Sequence, residues 1–210
     1  MLYINQRDYP ELKYLTVTDK PGDPYGSQTT VSSSGCGLCA SIMALDRLLP
    51  AGDYTFTVED AIALSYEAGA NHGLGTDGRL YFPAFAEKFH LRYTETNDLD
   101  DAKTCLQTGG AVIALVGERE EEGYIGVFTH KEHYICLTGL LSDGRFVVLD
   151  PSLCDGKFEE PGRKGKVELV GHVVLCPEHI LLEDALKIVR RSEGNPTPPK
   201  AKAYHMFWKF

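Results

Sequence analysis

Between positions 38 and 49 the apolar residues Ile42, Met43, Leu45, Leu48 and Leu49 recur at helical spacing, and the pattern predicts a helix over about 36–49. The Pro50-Ala51-Gly52 step ends it. Thr57 reads as the N-cap of a second helix, with Glu59 and Asp60 in its first turn and a stop near Gly69. A glycine-rich loop over 71–78 follows, then an aromatic-rich helix over 79–89. A short helix from Asp98 closes at Gly109-Gly110. From there the period changes. The unbroken apolar run over 111–116 reads as a buried strand. Two further strands, over 133–141 and 145–150, flank Asp143-Gly144, a hairpin signal. One more strand is expected over 167–175 and a late helix over 181–191. Helices first and sheet second predict an α+β domain.

The two ends of the chain read differently. Residues 1–34 are loop-rich, with Pro10, Pro21, Pro24 and Ser32 to Ser34, while Tyr3, Tyr9, Tyr14 and Tyr25 tie the segment to the body. Positions 194–210 combine a Pro-rich linker with an aromatic tail that returns as a last strand on the same domain, so the domain proper covers 1–193. With 210 residues, 43% of them hydrophobic and 24% charged, a single packed core is expected. The net charge of −9 argues against nucleic acid or an anionic membrane as the main partner, because both need a concentrated basic field. The polar first residues lack the apolar stretch of a signal peptide, and no run is long enough to span a bilayer. The six cysteines are dispersed rather than laid out as a disulfide scaffold. Together these predict reduced thiols in a cytoplasmic protein.

One cysteine stands apart. In Ser33-Ser34-Gly35-Cys36-Gly37 the thiol sits where a polar loop turns into the first helix. Unpaired N–H groups and the positive end of the helix dipole favour a thiolate there. A thiolate nucleophile needs a base, and the base needs an orienting group. His133 begins one strand of the predicted hairpin and Asp150 ends the other, on the same face. A strict two-residue turn leaves Asp150 opposite Leu137, four residues from His133 or roughly 13 Å along the strand. A longer loop or a bulge near Gly139 to Ser142 is required to bring them together. Cys36 and Cys39 also form a CxxC, which admits a redox reading, or a zinc site completed by His172 and Cys176. The polar stretch before Cys36 is unlike the strand that a redox motif follows, and Val173 to Leu175 look like strand interior.

These residues resemble the papain-like cysteine peptidases, and within them the branch of bacterial bacteriocin-leader (double-glycine) peptidases. The nucleophile segment 33–37, Thr76-Asp77-Gly78, the strand from Gly109 to Leu115, Phe128-Thr129, His133 to Gly139, Asp143-Gly144 and Asp150-Pro151 follow the same order over about residues 1–151. The resemblance implies a papain-like fold and a Cys36, His133, Asp150 triad. It also implies an oxyanion hole completed by an upstream glutamine, for which Gln6 is the match and Gln28 the reserve. Two positions depart from the pattern: Glu132 replaces the usual glycine before the histidine, and Leu38-Cys39-Ala40 replaces Pro-Thr-Ser after the cysteine. The implied activity is cleavage of an amide bond in a peptide or protein substrate, without metal or organic cofactor. An inactive domain that binds a peptide, or an acyl or amide transferase using the same triad, are the alternatives.

Overall fold

In the computed structural model, residues 1–16, 28–49, 52–73, 75–194 and 201–210 are described. The helices are α1 (Val31–Ser34), α2 (Cys36–Leu48), α3 (Val58–Glu67), α4 (Gly78–Lys88), α5 (Leu99–Gln107) and α6 (Glu178–Gly194). The strands are β1 (Leu91–Thr96), β2 (Ala111–Gly117), β3 (Glu132–Leu140), β4 (Phe146–Leu149), β5 (Glu168–Val170), β6 (Val173–Cys176) and β7 (Tyr204–Lys209). All seven strands join one antiparallel sheet in the order β1-β7-β2-β3-β4-β6-β5. Helices α2, α5 and α6 pack on β2 and its neighbours. The fold is therefore α+β, a set of helices against a single antiparallel sheet.

The hydrophobic pattern accounts for this arrangement. β2, the apolar run, is buried along its whole length in the interior of the sheet, between β7 and β3. Leu38, Ile42, Met43 and Leu45 of α2 are fully buried, and each contributes about 1.5–3 kcal/mol of transfer free energy. Thr57 caps α3 by accepting from the Asp60 N–H, and Asp98 caps α5 by accepting from the Asp100 N–H at 2.8 Å.

Three elements differ from expectation. The stretch over 91–96 forms β1, although only Leu91 in it is buried. It is an edge strand held by β7, more than a hundred residues later in the chain, and no local pattern announces such a partner. The expected strand over 167–175 is a hairpin, β5 and β6, turned at Gly171, whose φ of 62° places it in the left-handed region. α6 is longer than expected and runs to Gly194, where the linker was expected to begin. The rest of that linker, residues 195–200, lies outside the described residues, as do Pro21, Pro24 and Tyr25 of the N-terminal segment.

The β3–β4 hairpin sets the register that matters. Leu141 N–H donates to the Arg145 carbonyl across a three-residue loop, with Gly144 at φ 85°. That moves the pairing by one residue relative to a two-residue turn, so Leu140 faces Phe146. An irregularity between Leu137 and Gly139 moves it by one more, so Cys136 faces Leu149. The Thr138 carbonyl at this bulge accepts from Arg47 Nε of α2 at 3.0 Å. A helix side chain thus satisfies a backbone acceptor at the irregularity. Asp150 consequently follows in line with Ile135, two residues from His133 instead of four.

Candidate active site

Cys36 is the first residue of α2, and its exposure is intermediate. Two short helices meet there. The Gly35 N–H donates to the Val31 carbonyl at 2.8 Å and closes α1, while the Gly35 carbonyl accepts from Cys39 and opens α2. A Cβ on Gly35 would lie 2.7 Å from the Val31 carbonyl oxygen, so the junction has no room for a side chain. One position later, a Cβ on Gly37 would stand 3.2 Å from both Thr76 and the Tyr134 ring. The glycines on either side of the thiol thus permit close approach of α1, of the loop before α4, and of β3.

His133 is buried at the start of β3, and Asp150 is fully buried just beyond β4. His133 Nε2 lies 2.8 Å from Asp150 Oδ1. With Nε2 so engaged, Nδ1 is the ring nitrogen left for Cys36, and His133 and Cys36 share a hydrogen bond. Burial alone pushes the Cys36 thiol up. The hydrogen bond and charge of His133, with backbone N–H groups of Tyr134 and Gly37, outweigh burial and hold the thiol below its ordinary value. Burial alone pulls His133 down, yet its hydrogen bonds to Asp150 and Cys36 raise it. Burial also works against the Asp150 carboxylate. His133 and Lys157 reverse that and hold it well below the usual carboxylate range. Such a set favours a thiolate–imidazolium pair supported by a carboxylate.

Gln6 reaches the same place from the N-terminus. It is buried and borders, with Cys36 and His133, a cleft of about 670 Å³. Its Nε2 donates to the Ser32 carbonyl at 2.8 Å, which leaves its second amide hydrogen uncommitted, while its Oε1 is buried without a partner. The N-terminal strip is stitched to the Asp150 loop. Gln6 N–H donates to the Pro151 carbonyl, Tyr3 Oη to the Asp150 carbonyl and Arg7 Nε to the Ser152 carbonyl. Gln28 is exposed and does not border the cleft. Glu132, beside the histidine, is paired with Arg191 of α6. Its charge is therefore met by a cation from another element.

Two residues that sequence reasoning missed complete the cluster. Lys157 Nζ lies 2.5 Å from Asp150 Oδ2 and 2.8 Å from Ser152 Oγ, with a side chain only 5% exposed. Ser152 donates its N–H to Asp150 Oδ1 at 2.8 Å, and its Oγ is 3.1 Å from His133 Nε2. Ser152 lies in a turn after β4 and Lys157 opens a single 3-10 turn, Lys157–Glu159, in a stretch whose sequence carries no periodic signal. A second cleft, about 870 Å³, is larger and is lined in part by Lys157, whereas Cys36 borders the smaller one. All six cysteines are unpaired. Cys39 is buried in the core, and its thiol is raised by burial, unlike its neighbour Cys36. Among the described residues no group of three or more His, Cys, Asp or Glu side chains is arranged to hold a metal ion, and no helix is long and apolar enough to cross a membrane.

Comparison with solved structures adds a relation of fold. No protein-family model matches the chain, and no curated protein matches it. Among solved structures, a candidate C39-like peptidase from Bacillus anthracis superposes with a TM-score of 0.55 over 100% of this chain and 94% of that one, at 12% identity. The chain therefore shares its fold with a protein assigned to the C39-like peptidases.

Proposed function

We propose that this protein is a cysteine hydrolase of papain-like arrangement that cleaves an amide bond in a peptide or protein through an acyl-enzyme. The observation that carries the reading is the chain of contacts from Cys36, at the start of a buried helix on the wall of an open cleft, through His133 to the buried Asp150. Similarity of fold to a candidate C39-like peptidase supports it.

In the proposed reaction the Cys36 thiolate attacks the scissile carbonyl carbon, and the electron pair moves to the carbonyl oxygen. The Cys36 N–H and the uncommitted Gln6 Nε2 hydrogen stabilise that oxyanion. The His133 imidazolium gives its proton to the leaving amine as the C–N bond breaks, and a thioester to Cys36 remains. His133, now neutral, takes a proton from water, whose oxygen attacks the thioester and releases the acid and the thiolate. Asp150 holds the imidazole orientation throughout. The chemistry uses side chains and backbone alone.

The test is acyl-enzyme capture. Incubation with a diverse peptide pool, acid quenching and intact-mass measurement should reveal an adduct on Cys36 and new peptide termini, both lost in Cys36→Ala. Absence of new termini from every pool, with Cys36 labelled by iodoacetamide no faster than the other thiols, would overturn the reading. Adducts that pass to added amines in preference to water would move the assignment to a transferase.

A further inference from the structure

We infer that Lys157 is a positioning residue whose charge, acting through Asp150, limits how tightly His133 holds its proton. The inference rests on the proposed role of the Cys36–His133–Asp150 cluster. The two oxygens of one buried carboxylate are divided between two cations: Oδ1 faces His133 Nε2 at 2.8 Å, and Oδ2 faces Lys157 Nζ at 2.5 Å. Lys157 and Asp150 are 5% and 0% exposed, so water screens neither. Ser152 braces the arrangement, with its hydroxyl within hydrogen-bonding distance of Lys157, Asp150 and His133 at once.

A carboxylate alone would stabilise the imidazolium with its full charge. Here the Lys157 ammonium neutralises much of that charge from the far side. His133 is thereby kept able to release its proton to a leaving group, which a too-stable imidazolium resists. The other charged groups around His133 do not duplicate this. Cys36 faces it from α2. Glu132 on β3 is paired with Arg191 of α6. Arg7 is turned to the Ser152 carbonyl. Lys131, His72, Asp77 and Arg79 border the open cleft, and the last two are paired with each other. Among the charged groups of the described residues, apart from His133 itself, Lys157 alone touches the carboxylate on which His133 rests.

The experiment follows the His133 ring C–H signal by NMR across pH in the full chain, assigned by its loss in His133→Gln. Lys157→Gln keeps a hydrogen-bond donor but removes the charge; Lys157→Met removes both. His133 should titrate at higher pH than in the parent in both variants. An unchanged titration in Lys157→Gln overturns the inference, including the case where Lys157→Met alone shifts, since geometry and not charge would then be responsible. If Lys157→Met does not fold, Lys157→Gln decides. Failure of the hydrolase reading is separate, because it shows in the parent as a Cys36 that iodoacetamide does not prefer.

Discussion

His133 Nε2 and Asp150 Oδ1 lie 2.8 Å apart although Asp150 falls in line with Ile135, not with His133. A two-residue offset, roughly 7 Å along the strand, is spanned by the imidazole and the carboxylate reaching toward each other on one face. The offset would be twice as large without the three-residue loop and the bulge at Thr138. The contact between His133 and Asp150 is thus written into a hairpin distortion, the bulge at Thr138 and the loop over 142–144, that lies between the two residues in the chain.

The Asp150–Lys157 pair is buried, so breaking it from one side leaves an unpaired charge. Asp150→Ala should cost about 3–5 kcal/mol of stability because Lys157 is left without a counter-charge. Asp150→Ala with Lys157→Met should recover a large part of that loss while remaining inactive. Urea unfolding of the parent, the two single variants and the double variant measures the coupling. Additive losses would mean that the pair contributes no coupling energy.

Gly35→Ala tests the helix junction that presents the thiol. The added methyl meets the Val31 backbone and side chain at under 3 Å, so α1 and α2 must separate. Stability should fall by about 1–3 kcal/mol. Cys36 should also lose its preference for iodoacetamide at pH 6 over the exposed Cys154, because its position relative to His133 changes. Peptide mapping after partial labelling reads the ratio. A retained preference would show that the junction does not set the thiol's position.

Gln6→Ala separates oxyanion stabilisation from nucleophile activation. Loss of one oxyanion donor lowers kcat by about 10²–10³, while the alkylation rate of Cys36, which forms no oxyanion, should stay near that of the parent. Equal falls in both would place Gln6 in the support of Cys36, through its bond to the Ser32 carbonyl.

Stability should depend on pH in the direction set by Asp150. Its folded-state value is depressed, so the stability it contributes is present above its unfolded value, about 4, and drains away as pH falls below it. His133 works in the opposite sense. Its value is raised, so its contribution is full below about 6.5 and is lost as pH climbs through the folded value. Thermal unfolding of the parent and Asp150→Asn from pH 3 to 7 should show a gap in Tm that widens from pH 3 upward and levels off above about 5. A gap that is constant with pH would mean that Asp150 does not titrate with folding.

Much of the architecture was legible in the chain itself. The apolar run of β2, the α2 stripe, the Thr57 and Asp98 caps and the Asp143-Gly144 turn are local patterns, and local patterns report elements because side-chain period and backbone period must agree. The residues of the candidate site were legible as types and in order: a thiol at a helix start, a histidine opening a strand, an aspartate closing its partner. β1 was not, because its partner β7 lies at the other end of the chain. Nor was the division of β5 from β6, where a single glycine turns a short apolar stretch back on itself.

What the tertiary structure decided is distance and charge. No pattern in 138–150 states that Arg47 will take the Thr138 carbonyl and that the ladder will slip there, yet this determines how far Asp150 stands from His133. No pattern marks Lys157 as the cation on the far side of that carboxylate, since a lysine at the start of a short, isolated 3-10 turn is ordinarily a solvated one. Sequence alone determines which elements form, because that depends on neighbours a few residues apart. It leaves open the meeting of side chains from separate elements, because Coulomb energy and desolvation depend on ångström separations that exist only once the core has closed.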